Sequence, residues 1–180
     1  GNGANGIKTA EVNFKVNVTP VADDATIKVG QIIGNEDAGR TYGNSSKDLA
    51  IASKITNPEN GIKLDITVTS TDTDGSEHFN VTIKDIPNGG AIFIKEPITN
   101  GKNLLVTYDN DGNPKIEIWN SNGTTSSYIG TAIKADKGTI TIEKYDNANP
   151  PKFIPPHNAH GDFDLKLGVV TVDTATIDGK

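Results

Sequence analysis

Apolar and polar positions alternate with a period of two along most of the chain. Val12, Phe14, Val16 and Val18 alternate with Asn13, Lys15 and Asn17. Ile62, Leu64, Ile66 and Val68 repeat the pattern, as do Phe79, Val81 and Ile83. Shorter copies are Ile92/Ile94, Leu104/Val106/Tyr108, Ile116/Ile118, Ile140/Ile142 and Phe163/Leu165/Leu167. Successive side chains of a strand point to opposite faces, so this pattern predicts half-buried antiparallel strands. Turn sequences separate the runs: NPENG at 57–61, DIPNGG at 85–90, ITNG at 98–101, NDGN at 110–113 and NSNG at 120–123. Asn, Asp, Gly and Pro supply the backbone freedom or rigidity that tight turns need. A helix of a turn or two is expected only in SSKDLAIASKI, 45–55. Many short strands between turns predict an all-β protein, a sandwich of two antiparallel sheets. At strand spacing, Phe14, Phe79, Phe93, Phe163 and Trp119 read as core.

VNVTPVADD, 16–24, reads as a strand that ends at Pro20 and runs into an acidic linker. A boundary is therefore expected near Val21. Residues 1–20 would be a strand and linker from that boundary, belonging to a preceding module or docking back. Residues 21–180 would form the module itself. GNGANGIKTAE at the start and TATIDGK at the end read as cuts inside a longer polypeptide.

The acidic segments change the picture most. STDTDGSEHF places Asp72, Asp74, Ser76 and Glu77 within six residues. In an extended chain, residues i and i+2 point the same way, and Gly75 permits the bend. Such a turn offers the hard oxygen ligands that Ca²⁺ takes. A solvated acidic turn is the plainer alternative. VADD adds Asp23 and Asp24, and NED adds Glu36 and Asp37, with no Lys or Arg inside any of the three segments. If all three gather at one pole of the sandwich, up to seven carboxylates converge on calcium. YDNDGNP supplies a second set, Asp109, Asp111 and Asn113. It resembles the start of an EF-hand loop but lacks flanking helices and the twelfth-position Glu, and Asn-Asp-Gly is also an ordinary hairpin turn. Asp162 and Asp164 in GDFD read equally well as the outer face of a strand.

Composition excludes more than it assigns. With 23 acidic and 17 basic residues the net charge is -6, against a nucleic-acid partner. There is no cysteine, so no disulfide and no thiolate ligand or nucleophile. No apolar run approaches the ~20 residues of a membrane helix, and no signal peptide opens the sequence. His78, His157 and His160 read as surface residues. No nucleophile elbow is present, and Glu117 with Glu143 is no more than any acidic β domain offers, so no enzyme is expected.

These segments in order resemble the immunoglobulin- or cadherin-like modules of large bacterial RTX adhesins exported by type I secretion. The likeness is carried by VNVTPVADDATI, GNEDAG, TSTDTDGSEHFNVTIKDIPNGGAIF and FIPPHNAHGDFDLKLGVVTVDTATIDG, covering roughly 12–96 and 153–178. The resemblance implies an extracellular, calcium-stiffened sandwich on a bacterial surface. It implies that Asp23, Glu36, Asp37, Asp72, Asp74 and Glu77 gather round Ca²⁺ near a module joint, with neighbouring modules as partners. It also implies a C-terminal export signal in place of an N-terminal one. The segment at about 97–152 is longer than such a module needs, and is expected to be an inserted β-rich subdomain. Because binding residues concentrate in loops on rigid scaffolds, Tyr108, Asp109, Asp111, Trp119 and Tyr128 are the candidate contacts for a ligand. That ligand would be a peptide or protein on a target cell, or a glycan; a spacer that binds nothing is the alternative.

Overall fold

The computed structural model describes residues 11–19, 25–41, 54–71, 77–157, 159 and 161–173. In chain order the strands are β1 (Glu11–Val18), β2 (Ala25–Val29), β3 (Ile32–Asn35), β4 (Arg40–Thr41), β5 (Lys54–Ile55), β6 (Ile62–Lys63), β7 (Ile66–Ser70) and β8 (Glu77–Lys84). They continue as β9 (Ala91–Lys95), β10 (Asn103–Tyr108), β11 (Pro114–Trp119), β12 (Thr125–Ser127), β13 (Ile133–Asp136), β14 (Thr139–Ile142), β15 (Lys152–Ile154) and β16 (Phe163–Asp173). One 3-10 turn, Pro58–Asn60, precedes β6. The expected helix at 45–55 falls outside the described residues except for Lys54 and Ile55, which form β5. No helix among the described residues is long and apolar enough to cross a membrane.

Among these residues the strands form two six-stranded sheets, β13-β14-β8-β16-β1-β3 and β12-β11-β10-β9-β15-β6, with two-stranded pairs β2-β7 and β4-β5. The alternating residues explain the layering. Phe79, Val81 and Ile83 of β8 and Leu165, Leu167 and Val169 of β16 face inward from the first sheet, and Ile92, Ile94, Leu104 and Val106 from the second. Phe153 of β15 is fully buried between them. Its ring meets Phe14 edge-on at 4.8 Å and Phe163 at 5.8 Å, while Phe14 and Phe163 stack at 5.3 Å. Three aromatics thus join β1 and β16 of one sheet to β15 of the other.

The expectation of purely antiparallel sheets is corrected at one place. β1 runs parallel to β16, from Phe14 opposite Phe163 to Val18 opposite Leu167. Parallel neighbours need a long crossover, and here nearly the whole chain lies between the two. The pairing makes β1 an interior strand, with Val12 fully buried, rather than a segment standing apart from the module.

The segment at 97–152, expected as an inserted β-rich subdomain, adds its strands to both sheets. β10, β11 and β12 extend the second sheet, and β13 and β14 extend the first by pairing with β8, Ile140 opposite Ile83 and Ile142 opposite Val81. Leu104, Val106, Ile133, Ile140 and Ile142 share the one large core with the rest of the sandwich. Their apolar faces are as regular as those elsewhere and need the same burial.

The run Ile62 to Val68, which reads as one strand, breaks between β6 and β7. The Ile66 N–H bonds to the Leu64 carbonyl at 2.8 Å, and the Leu64 N–H to the Pro151 carbonyl at 2.9 Å. Such an i to i−2 bond is a γ-turn. It lets β7 leave the second sheet and pair with β2. The free side of β7 is covered by Asn147, whose amide accepts from the Val68 N–H at 2.9 Å and donates to the Val68 carbonyl at 2.7 Å.

Candidate functional site

Of the calcium set, Asp23, Asp24, Asp72, Asp74 and Ser76 lie outside the described residues. Their neighbours do meet: Ala25 pairs with Ser70, and the Ser70 hydroxyl donates to the Glu77 carboxylate. Glu77 opens β8 opposite Asp173. Glu36 and Asp37 are elsewhere, in the turn after β3. Gly34 of β3 lies against Ile62, where an added Cβ would meet the Ile62 side chain at 2.6 Å. In the first sheet Phe14 lies level with Ile32 and Phe163, and Glu77 level with Asp173, while β3 runs on from Ile32 away from Glu77, so at ~3.3 Å per residue Glu36 and Asp37 are on the order of 30–40 Å from Glu77. The expected convergence of all three acidic segments at one pole is therefore corrected; Glu36 and Asp37 belong to the opposite end. Among the described residues no three acidic or histidine side chains form a group that could hold a metal ion.

Asp109, Asp111 and Asn113 form the β10–β11 hairpin turn. The Asp109 Oδ1 accepts both the Asp111 and the Asn113 N–H at 2.9 Å, and Gly112 takes a φ of 83°. These bonds, first that from Asn113 and then that from Asp111, hold the Asp109 carboxyl below the usual range, and Lys137 adds to the effect. An oxygen spent on two backbone donors, with an ammonium nearby, describes a self-closed Asx turn.

Two of the candidate ligand contacts are structural. Tyr108 is 2% exposed, and its hydroxyl donates to the Thr139 carbonyl at 2.7 Å. It faces the core because it continues the inward alternation of Leu104 and Val106, so it cannot anchor a ligand. Tyr128 is half-buried and donates to the Glu96 Oε2 at 2.7 Å. Glu96, 6% exposed, is the buried charged residue that sequence reading missed. Its Oε1 also accepts the Lys102 N–H at 3.3 Å. An ordinary turn acid next to Pro97 gives no signal of such a role.

The tyrosines carry a pH dependence. Burial pushes the Tyr108 and Tyr145 hydroxyls well above their ordinary 10. Burial, with the bond to Glu96, pushes Tyr128 up to about 12. In the unfolded chain all three ionise near 10. Above that pH the unfolded state loses protons first, so stability is intact below pH ~10 and falls as pH climbs toward ~12. Urea midpoints at about pH 9 and pH 11.5 check this: a clear drop is expected, and equal midpoints would contradict it.

Trp119 is a candidate contact that reaches the surface. On β11 Ile116 and Ile118 face inward, which turns Glu117 and Trp119 outward. Phe93 of β9 is outward for the same reason, between Ile92 and Ile94. Both had read as core, and both are half-buried over a second, smaller apolar cluster of Ala91, Leu105 and Ile154. Phe93 and Trp119 line a cleft of about 480 Å³ with Asn57, Asn103 and Asn122. One wall is the 56–59 segment, tied down by the Lys152 ammonium donating to the Glu59 carbonyl at 2.7 Å. The other is the 120–124 turn, closed by Asn120 N–H to Thr124 carbonyl and Gly123 N–H to Asn120 carbonyl, both 2.9 Å. The Asn122 Oδ1 further accepts the Thr124 N–H at 3.1 Å. A flat indole on a rigid sheet, edged by amides and walled by closed turns, is suited to bind a ligand with both apolar and hydrogen-bonding faces. Compared with known proteins, the chain matches no protein-family model, no curated protein and no solved structure.

Proposed function

We propose that the chain is a calcium-dependent, ligand-binding module of a bacterial cell-surface adhesin of the RTX type, holding a ligand on a host or neighbouring cell. The observation that carries the reading is the Trp119 cleft, a preformed recess with an aromatic floor and an amide rim. Calcium would be held at the end of the sandwich where Ala25, Ser70 and Glu77 meet, by Asp23, Asp24, Asp72, Asp74, Ser76 and Glu77. A hard divalent cation there would neutralise the clustered carboxylates and stiffen the joint to a neighbouring module. The 108–113 hairpin, expected to present a peptide, is left out of the site because Tyr108 is buried and an Asp109 oxygen closes the turn on its own backbone.

A spacer without a ligand is the second reading, favoured by the structural employment of Tyr108, Tyr128 and Asp109. A panel of immobilised peptides and glycans, probed in calcium and in chelator, separates the two. The adhesin reading expects hits that Trp119→Ala weakens roughly 30-fold or more, the ~2 kcal/mol of an aromatic anchor. Thermal unfolding of the variant is the control for its fold. An empty panel, or hits indifferent to Trp119, would favour the spacer.

A further inference from the structure

We propose that the Trp119 cleft is one end of a groove for an acidic oligosaccharide bearing uronate-type carboxylates. The inference rests on the reading of that cleft as a ligand site and names its ligand class. The cleft shares Phe93 and Asn103 with a second recess of about 300 Å³ that Lys63, Lys95 and Lys152 line. Together they cross β6, β15, β9, β10 and β11, five adjacent strands of one sheet. At ~4.8 Å per strand the groove spans roughly 19 Å.

The lysines break a local rule. Lys152 pairs directly with Lys63 on one side and with Phe93 on the other. Like charges directly opposite each other on a sheet are destabilising. The ion pairs among the described residues are Lys115–Glu117, Lys134–Glu143 and Lys166–Asp85, so none uses these three lysines. Lys152 bonds only to a neutral carbonyl, that of Glu59. Lys95 feels Asp146 at longer range, but that carboxylate is already taken by the Ala148 N–H and the Asn149 amide, at 2.9 and 2.7 Å. In a chain of net charge -6, a row of lysines beside an aromatic floor, without carboxylate partners, is complementary to an anion.

The setting selects the class. The groove lies across a sheet face, where the backbone donors and acceptors of β9, β10 and β15 are spent on neighbouring strands. A peptide that binds by strand addition needs a free edge, which this face lacks. Recognition must come from side chains. The indole and phenyl rings offer stacking surface for the C–H faces of sugar rings, the Asn103 amide offers a donor and an acceptor for hydroxyls, and the Asn57 oxygen and the Asn122 Nδ2 add an acceptor and a donor. The carboxylates go to the lysine end, as point-charge contacts. Glu59 stands at the Trp119 end, which therefore takes a neutral part of the sugar.

Calorimetric titration of the purified chain in calcium tests this, with a tetragalacturonate, a neutral tetraglucan and an acidic peptide as probes. The uronate is expected to bind at least roughly tenfold tighter than the glucan and to weaken as salt rises from about 50 to 200 mM. The Lys63→Gln/Lys95→Gln double variant, which keeps the Lys152 tie to Glu59, should lose at least roughly tenfold in uronate affinity while its thermal midpoint holds or rises, because the Lys63–Lys152 like-charge pair has gone. Equal binding of the glucan would overturn the role of the lysines. Tighter binding of the acidic peptide would overturn the glycan class. If no probe binds while the chain still hits the panel through Trp119, the acidic-glycan inference falls and the ligand-binding reading stands. If the panel is also empty, both fall.

Discussion

Replacing Phe153 with Ala should cost about 3–5 kcal/mol, the range for deleting a buried aromatic and leaving a cavity. Phe153 has no exposure, and its ring touches Phe14 and Phe163 from the facing sheet. On β15 it lies opposite both Ile62 and Ile92. Few neighbours can relax into the void, because the walls belong to two sheets held by their own ladders. For a chain of 180 residues the thermal midpoint should fall by roughly 6–20 °C. A loss under about 1 kcal/mol would mean that the two sheets do not close on this ring.

Replacing Glu96 with Ala should cost about 3 kcal/mol. The buried carboxylate holds the Tyr128 hydroxyl and the Lys102 N–H, and so ties the 96–102 loop to the chain that crosses from β12 to β13. Hydrogen bonds to a charged group contribute about 1.5–3 kcal/mol, and the tyrosine hydroxyl would be left half-buried without its acceptor. Glu96→Gln should lose less, about 1–2 kcal/mol, because the amide can still accept from Tyr128 but presents a donor to the Lys102 N–H. Denaturant midpoints of the two variants check both the size and the order. Equal, negligible losses would show the contact to be incidental.

Much of the sandwich was legible because burial imposes period two. β8, β10, β11 and β16 appear where Phe79, Leu104, Ile116 and Phe163 start their alternations. Phe153 escaped because its strand has three residues, followed by Pro155, and a strand that short shows no period. Phe93 and Trp119 were placed inside because they are aromatic, yet each occupies the odd position between or beyond inward isoleucines; register outranks residue type. The parallel partner of β1 was not legible, since pairing across the length of the chain leaves no local mark. Among the candidate site residues, the Asp-x-Asp turn at 109–111 was recognisable as a turn, but only the geometry shows an Asp109 oxygen turned back on its own backbone. Glu36 and Asp37 matched the acidic pattern in sequence and separated in space, because β3 and β7 carry them to opposite ends.

What ties these parts together is the claim that the acidic end around Glu77 is a cation site that stiffens a ligand-binding module. An ion that binds only the native state stabilises it by RT ln(1 + [Ca²⁺]/Kd). Extracellular sites have Kd values around 10⁻⁴–10⁻³ M, so millimolar calcium at about 50 times Kd contributes about 2.3 kcal/mol per site. Thermal unfolding of the purified chain in calcium and in chelator measures this directly. The midpoint should lie roughly 5–9 °C higher in calcium for each ion bound, and the same midpoint in both conditions would contradict a cation site at this end.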